Sequence, residues 1–526
     1  MKRKRFNVTG ICVPAKHYMV DISEKIAQIK KLIDDECYFT INRARQYGKT
    51  TTLYELRRRL SNEYLIIKIS FEGLGDESFS SPEKFCSAFL RQIVSALESP
   101  AVNTESEYID QWAEYDINNF DLLSRHITKM CKDKKVVLLI DEVDRTSNNH
   151  VFLQFLSTLR KKFLARGGGD DYTFHSVILA GVYDIKNIKL KMMNEGLYTP
   201  AESEGKIYNS PWNIAVNFTV DMSFSSVEIS TMLNGYEAEH NTDMNVAAIS
   251  EEIYGYTSGY PFLVSRLCQC IDEELNKDWT MDGLREAVSV IMDEQNTLFD
   301  DIYKNLANNH GLYQFIYNIL ILGESYNFKL GNEIINLANR YGIISNKNGI
   351  AVISNRIFEA IIYDYFISKD QTDLETQTIS GVISDIVKND KFDMELCLRK
   401  FADHYNEIFT EKDAKFLERH GRLLFLSYLR PFINGRGFYH IESETRNQNR
   451  MDIVVDYGSD QFIIELKIWD GEKHHEEAYE QLLGYMDDKK ATTGYLLTFD
   501  FRKEQNRERK AEWVEIGGKK IFDVII

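Results

Sequence analysis

Tyr38-Phe39-Thr40-Ile41-Asn42-Arg43-Ala44-Arg45-Gln46-Tyr47-Gly48-Lys49-Thr50-Thr51 decides how the first third of the chain is read. An apolar run ends in a short polar loop, and the loop opens into an amphipathic stretch. Gly-Lys-Thr at a strand-to-helix turn is the pattern of a loop that cradles phosphates with backbone N–H groups at a helix N-terminus. In that pattern Arg45, Gln46, Tyr47, Gly48, Lys49, Thr50 and Thr51 surround the phosphates. Lys49 reaches the β- and γ-phosphates and Thr50 binds Mg²⁺. The pattern's first glycine is Arg43 here. Taken alone, Gly-Lys-Thr is ordinarily a solvated turn, so a second signal is needed.

That signal is Val136-Val137-Leu138-Leu139-Ile140 followed by Asp141-Glu142-Val143-Asp144. An apolar strand ending in Asp-Glu supplies a metal-binding acid, Asp141, and a base that orients or polarises water, Glu142. Further apolar runs occur at Leu65–Ile69, Val177–Gly181 and Ile214–Val216, with amphipathic stretches between them. Buried strands alternating with helices predict a mostly parallel sheet covered on both faces over residues 1–224.

The 526 residues predict three or four domains. A net charge of -17 excludes a surface that attracts DNA as a whole, so any nucleic-acid contact uses local basic patches. Such clusters lie at Arg57-Arg58-Arg59, Arg160-Lys161-Lys162 and Arg502-Lys503 with Arg507, Arg509 and Lys510, although each is more often a solvated helix face. The 7 cysteines are odd in number and scattered, which fits a reducing compartment, and Cys268 and Cys270 read as core. No stretch approaches the roughly 18 apolar residues of a membrane span, and a soluble cytoplasmic protein is expected.

Residues 225–295 read as helices only, and Ser225-Ser226-Val227-Glu228-Ile229 reads as a helix start with serine available as a cap. Residues 296–368 end in helix, hairpin and helix: Asn332–Arg340, a turn at Asn346–Gly349, and Arg356–Phe366. This order predicts a winged helix. Residues 369–379 are polar and read as a linker, and 380–526 return to mixed helices and strands.

In the last segment, Met451-Asp452-Ile453-Val454-Val455-Asp456-Tyr457-Gly458-Ser459-Asp460-Gln461-Phe462-Ile463-Ile464-Glu465-Leu466-Lys467 reads as a hairpin. Gly458-Ser459 is a two-residue loop with glycine first, the type II′ preference. That turn pairs Tyr457 with Asp460 and therefore Asp452 with Glu465. Opposed residues project to one face, and Lys467, two residues on from Glu465, shares it. Opposed like charges repel, and a divalent metal removes the conflict. Asp452 and Glu465 suit Mg²⁺, or Mn²⁺ in its place, while Lys467 positions the nucleophile or neutralises charge. The plainer alternative is a Lys467 ion pair at a surface edge.

The first region resembles the prokaryotic AAA-like ATPases, near the archaeal-type and STAND-like branch of P-loop ATPases. The resemblance is carried by Phe6–Gly10, Lys16–Asp21, Asn42–Thr51, Asn209–Ile214, Asp221–Ser225 and Ser258–Phe262, over roughly residues 6–368. It implies a RecA-like α/β core with a helical lid and winged helix, ATP with Mg²⁺, and a homo-oligomer. It would place a sensor near Tyr183 and Asp184, a finger at Arg160 or Arg166 and a lid sensor at Arg266, although helical arginines are more often ion-pair partners. His17-Tyr18 is read equally as adenine contact or core packing.

The Asp…Glu-x-Lys hairpin resembles the PD-(D/E)XK nuclease superfamily over about residues 395–505. The resemblance implies a restriction-endonuclease-like α/β domain with a preceding helix at Lys412–Leu429, Glu418 as a further acid, Glu444 and Arg446 before the Asp strand, and a final strand at Gly494–Phe499. Gln481, with Tyr485 one turn on, would join the catalytic set. Met451 stands where a proline is usual. His474-His475-Glu476-Glu477 reads as a solvated helix start rather than a zinc site. Together these readings imply an ATP-dependent or ATP-gated metal-dependent nuclease, DNA being the favoured substrate, in bacterial defence or mobile-element biology. The alternative is a nucleotide-switched regulator or scaffold whose nuclease-like domain only binds nucleic acid.

Overall fold

The computed structural model describes residues 4–102, 104–113, 117–143, 150–182, 212–320, 324–373, 386–388, 391–408, 425–426, 428–429, 432–433, 437–441, 451–458, 460–500, 502 and 510–526. The chain divides into two compact units: Met1–Tyr236 with Tyr260–Ser265, and Glu237–Gly259 with Arg266–Ile526.

In the first unit the elements run α1 (Ser23–Asp34), β1 (Phe39–Asn42), α2 (Lys49–Leu60), β2 (Leu65–Ser70), α3 (Pro82–Leu97), α4 (Ser106–Ala113), α5 (Phe120–Cys131), β3 (Val136–Asp141), α6 (His150–Gly168), β4 (Ser176–Gly181) and the start of α7 (Ser226–His240). The strands form one parallel sheet in the order β1-β4-β3-β2. The expected fifth run contributes less than a strand: Val216 makes an isolated parallel bridge to Phe39. Both faces are covered. Ile67, Ile69, Leu138, Ile140, Val177 and Leu179 face a core built with Phe85, Phe89, Ile127, Phe152 and Phe155 of α3, α5 and α6. Alternation places Lys68, Ser70, Leu139 and Asp141 on the opposite face, which α2 covers. Ser225 caps α7 as expected. Its hydroxyl accepts the Glu228 N–H at 3.2 Å, and Glu228 accepts the Ser225 N–H at 2.8 Å. This is a reciprocal capping box.

The second unit continues with α8 (Val246–Thr257), part of α9 (Pro261–Glu273), α10 (Met281–Met292), α11 (Thr297–Asn308), α12 (His310–Leu320), α13 (Glu333–Arg340), β5 (Ile344–Lys347), β6 (Ile350–Ile353) and α14 (Arg356–Asp373). Asn332 caps α13, accepting the N–H groups of Ile334 and Ile335. Helix α14 continues to Asp373, into the stretch expected to be a linker, because Arg356–Phe366 carries a full apolar face (Ile357, Phe358, Ile361, Ile362, Phe366) that anchors the helix from which the polar residues extend.

The C-terminal part adds β7 (Val387–Lys388), β8 (Lys391–Phe392), α15 (Met394–Ile408), β9 (Gly437–Ile441), β10 (Met451–Tyr457), β11 (Asp460–Ile468), α16 (Glu472–Asp488), β12 (Thr493–Phe499), β13 (Lys510–Ile516) and β14 (Lys519–Ile525). A six-stranded mixed sheet has the order β13-β14-β12-β11-β10-β9. Two of these strands correct the expectation that Gly494–Phe499 is the last. The apolar run Ile521–Ile526 forms β14 parallel to β12, and the Gly517-Gly518 turn returns β13 to the edge. Helix α15 covers one face, with Phe401 against Phe499 and Arg399 over Phe522. Helix α16 covers the other through Ala478, Leu482 and Met486 against Ile463, Leu496 and Ile521. Gly494 permits that approach: a Cβ there would lie 2.7 Å from the Met486 sulfur.

Candidate functional site

At the C-terminal edge of the first sheet, the loop after β1 turns into α2 through two residues of positive φ, Gln46 (56°) and Gly48 (78°). Glycine adopts this conformation freely, which explains its place before Lys49. Lys49 is buried. Its ammonium donates to the carbonyls of Arg43 (3.0 Å) and Ala44 (2.9 Å) of its own loop. Thr50 sits half-buried in the first turn of α2, and the Thr51 hydroxyl accepts the Cys12 N–H at 3.3 Å. Arg45 is exposed, with its carbonyl bound by the Tyr260 hydroxyl at 2.6 Å. The Tyr47 ring meets Tyr260 edge-on at 4.7 Å. Arg43, in place of the usual glycine, ties the loop down. It donates to the Val220 carbonyl at 2.8 Å and lies over Phe218.

Asp141 ends β3 on the face that α2 covers, and it is buried. Glu142 follows with φ 54°, and its N–H is held by the Asp141 carboxylate at 3.1 Å. A glutamate in the left-handed region costs about 1–2 kcal/mol, and such strain collects at functional positions. Lys68, unforeseen from the sequence, stands with its ammonium 3.9 Å from Asp141. Burial pulls that ammonium below its usual range and Asp141 opposes the pull. A lysine inside an apolar strand run was the available signal.

Several weaker expectations resolve as packing. Tyr18 is buried between Phe6 and Tyr236, which settles it as core. Arg166 donates to the carbonyls of Phe174, His175 and Glu36, at the ends of the strands remote from the phosphate loop. Arg266 is clamped by Glu274 (2.7 Å) and Glu294 (3.0 Å). Arg58 and Arg59 pair with buried Glu55, and Lys162 with Asp171. Tyr183, Asp184 and Asp144 lie outside the described residues, as do Glu418, Glu444 and Arg446.

In the C-terminal sheet the register is the one the turn dictates. Tyr457 pairs with Asp460 and Asp452 with Glu465, across the positive-φ Gly458. Glu465 is 1% exposed, and the Lys467 ammonium forms an ion pair with it at 2.8 Å. β11 is central, flanked by β10 and β12, so this ion pair is not at a surface edge. Gln481 and Tyr485 lie one turn apart on α16, both half-buried, with Tyr485 packed beside the core under the helix.

The start of α16 is not solvated throughout. His474 is exposed, but His475 turns inward. Its Nε2 lies 3.0 Å from the Asp523 carboxylate and its Nδ1 3.4 Å from the Thr498 hydroxyl. Among the described residues, no group of three or more His, Cys, Asp or Glu is placed to hold a metal. The basic cluster after β12 is also partly consumed: Arg502 grips buried Asp500 with both ends of its guanidinium and stacks on Trp469. Among the described residues no helix is long and apolar enough to cross a membrane.

Residues 14–366 match the family model of the AAA-like domain, and residues 438–510 match that of the PD-(D/E)XK nuclease superfamily. An uncharacterized WD repeat-containing protein of Synechocystis sp. is 20% identical over 356 residues, 64% of this chain. The chain spans only 28% of that relative's length. Among solved structures, the Walker-type ATPase paby2304 of Pyrococcus abyssi is 13% identical, with 68% of this chain and 99% of that chain covered at a TM-score of 0.46. The ORC2 protein of Aeropyrum pernix, in its ADPNP-ADP complexes, is 13% identical, with 70% and 98% covered at 0.34. The chain belongs to the AAA-like domain family and carries a C-terminal domain of the PD-(D/E)XK nuclease superfamily.

Proposed function

We propose that this protein is an ATP-gated, metal-dependent nuclease acting on nucleic acid, with DNA as substrate, working as a homo-oligomer in bacterial defence or mobile-element biology. The observation that carries the reading is the pairing of Asp452 with Glu465 in a central strand ladder, with Lys467 bound to the buried Glu465 carboxylate. A structural sheet gains nothing from placing two acids opposite one another. The donor set fits Mg²⁺ or Mn²⁺ by its chemistry, since Asp452 and Glu465 are carboxylates opposed in the ladder. When bound, the ion supplies charge neutralisation and an acidified water. Lys467 holds Glu465 in place, and Gln481 of α16 joins the catalytic set.

In the first unit, ATP is held by Arg45 to Thr51, and Thr50 and Asp141 are the residues that suit Mg²⁺. Lys49 leaves its loop carbonyls for the phosphates. Glu142 positions water. The segment α13-β5-β6-α14 has the helix–hairpin–helix order of a winged helix and is assigned to DNA contact or to transmission of the nucleotide state.

The test is cleavage of plasmid, linear DNA and RNA with Mg²⁺ or Mn²⁺, with and without ATP, by the parent chain, Lys49→Ala and Glu465→Ala. Cleavage that disappears in Glu465→Ala and changes in Lys49→Ala is expected. ATP hydrolysis without cleavage under any of these conditions would replace this reading with a nucleotide-switched scaffold.

A further inference from the structure

At the end of the first sheet remote from the phosphate loop, a cavity of about 300 Å³ opens beside the starts of β2 and β3. That volume lies at the low end of small-molecule sites. The walls come from the end of α2 (Arg57, Ser61), the turn into β2 (Asn62, Glu63), the loop after α3, and the approach to β3 (Lys134, Lys135). Helix α2 begins at Lys49 and carries Arg57 eight residues on, about 12 Å along its axis. The cavity is therefore separate from the phosphate loop.

The charge of the walls is unbalanced. Arg57 is half-buried, and among the described residues its side chain has no hydrogen-bond or ion-pair partner. Its neighbours Arg58 and Arg59 are taken up by Glu55. A basic last turn suits the helix dipole, but the dipole gives no reason to half-bury a guanidinium with five N–H donors and no acceptor. Lys134 lies over the Tyr108 ring at 4.1 Å, and Lys135 is exposed. Neither meets a carboxylate among the described residues. The acid of the wall, Glu63, is already paired with Lys30 at 2.9 Å. The hydroxyl of Thr104, another wall residue, is buried with no hydrogen-bond partner among the described residues. Orphaned polar groups of this kind call for a ligand or a functional reason.

In a chain of net charge -17, three cations on one concave wall whose acid is neutralised make a local anion site. A planar guanidinium matches paired phosphate oxygens, and the two lysines add point charges. Lys132, exposed at the end of α5, carries the positive charge on outside the cavity, with Asp133 as the acid between. A ligand whose own charge continues past the cavity fits this layout better than a single phosphate.

We propose that this cavity holds a backbone phosphate of a nucleic-acid strand, with Arg57, Lys134 and Lys135 as its contacts. The first unit then has a strand-binding site of its own, apart from the Asp452–Glu465 hairpin. The assignment rests on the nuclease reading above, whose substrate is nucleic acid. Contacts of this kind position a strand and read no sequence.

The test is fluorescence anisotropy of a labelled oligothymidylate with the full chain, in EDTA to prevent cleavage and over a series of salt concentrations. The parent is compared with Arg57→Gln, the double variant Lys134→Gln with Lys135→Gln, and Lys161→Gln. Each is checked for parental melting and, with Mg²⁺, for parental ATP hydrolysis without nucleic acid. Lys161 is exposed on α6 and outside the cavity, so it controls for loss of charge alone. Each phosphate contact on a single strand contributes about 0.7 to the slope of log affinity against log salt. Arg57→Gln should lower that slope by about 0.7 and the double variant by about 1.4. Affinity at low salt should fall about 10-fold or more in each, with Lys161→Gln parental. Parental slope and affinity in Arg57→Gln and the double variant overturn the cavity assignment, as does an equal loss in Lys161→Gln. Competition by the mononucleotide dTMP as strong, per phosphate, as by unlabelled oligomer would give the cavity to a free nucleotide and overturn the strand. Plasmid cleavage by the parent with Mg²⁺ leaves the nuclease reading intact in all these cases. A parent that neither binds nor cleaves nucleic acid overturns both.

Discussion

Lys49 and Lys467 are both shielded lysines beside candidate metal-binding acids, but they are satisfied in opposite ways. Lys49 donates to two neutral carbonyls of its own loop, whereas the Lys467 ammonium is ion-paired with a buried carboxylate on its own strand. A lysine held by dipoles gives them up readily to a phosphate bearing full charge. A lysine held by a buried carboxylate is part of the framework, since its departure would strand a charge.

The contrast is sharpest in activity. Glu465→Gln removes the central acid and should lower DNA cleavage by about 10³-fold while ATP hydrolysis persists, measured on one preparation. Lys49→Ala should lower ATP hydrolysis by about 10²- to 10³-fold, read by phosphate release. Equal loss of both activities in either variant would break the division of labour.

Stability should separate the lysines in the opposite sense. Lys467→Ala leaves Glu465 buried without its cation and should cost about 3–5 kcal/mol in denaturant unfolding. Lys49→Ala removes the donor to the Arg43 and Ala44 carbonyls and should cost about 1 kcal/mol. Comparable costs would mean that Lys467 is no more embedded than Lys49.

The first unit carries its own acid sensitivity. Burial, with Lys129 nearby, pushes the His126 imidazole down to about 4, and its ring meets Trp112 edge-on at 4.9 Å. The unfolded chain takes up the proton near the ordinary value of 6.5 and the folded chain only near 4. Stability from neutral His126 is full above pH 6.5 and is lost as pH falls toward 4, by on the order of 3 kcal/mol. His126→Phe should flatten that part of the pH–stability curve, followed by thermal unfolding. Asp523 in the second unit behaves differently. Burial would raise its carboxyl, but hydrogen bonds from His475 and Tyr479 outweigh burial and depress it. It contributes fully above the ordinary carboxylate value, and that contribution is lost as pH falls from there through its lower folded value. Gly494→Ala drives a Cβ into Met486 and should cost about 1–3 kcal/mol. Met486→Ala in the same chain should relieve the clash.

The sites were legible to different depths. Asp452 and Glu465 were readable as partners because a two-residue turn fixes register, and register follows from counting. The phosphate loop was readable because Gly48 and Lys49 lie next to one another in the chain. Lys68, Thr498, His475 and Asp523 were not, because each meets its partner across strands or from a helix. His475 is 48 residues from Asp523 along the chain. The missed hairpin β13-β14 had a local signal in Gly517-Gly518 and the apolar run after it, but its neighbour β12 is reached only by a parallel crossover.

By itself the sequence determined two α/β regions, the phosphate loop, the acid at the end of the buried strand, and the Asp–Glu hairpin pairing. These are properties of turns, alternation and adjacency, and they act over a few residues. Only the tertiary structure decided that Arg43 anchors the loop, that Arg166 and Arg266 are tied up by internal partners, and that His475 joins Asp523 and Thr498 rather than facing water. Those outcomes depend on which strand lies beside which and on how closely α16 approaches at Gly494. Burial then makes every unpaired charge and dipole costly, so it selects partners that no local pattern records.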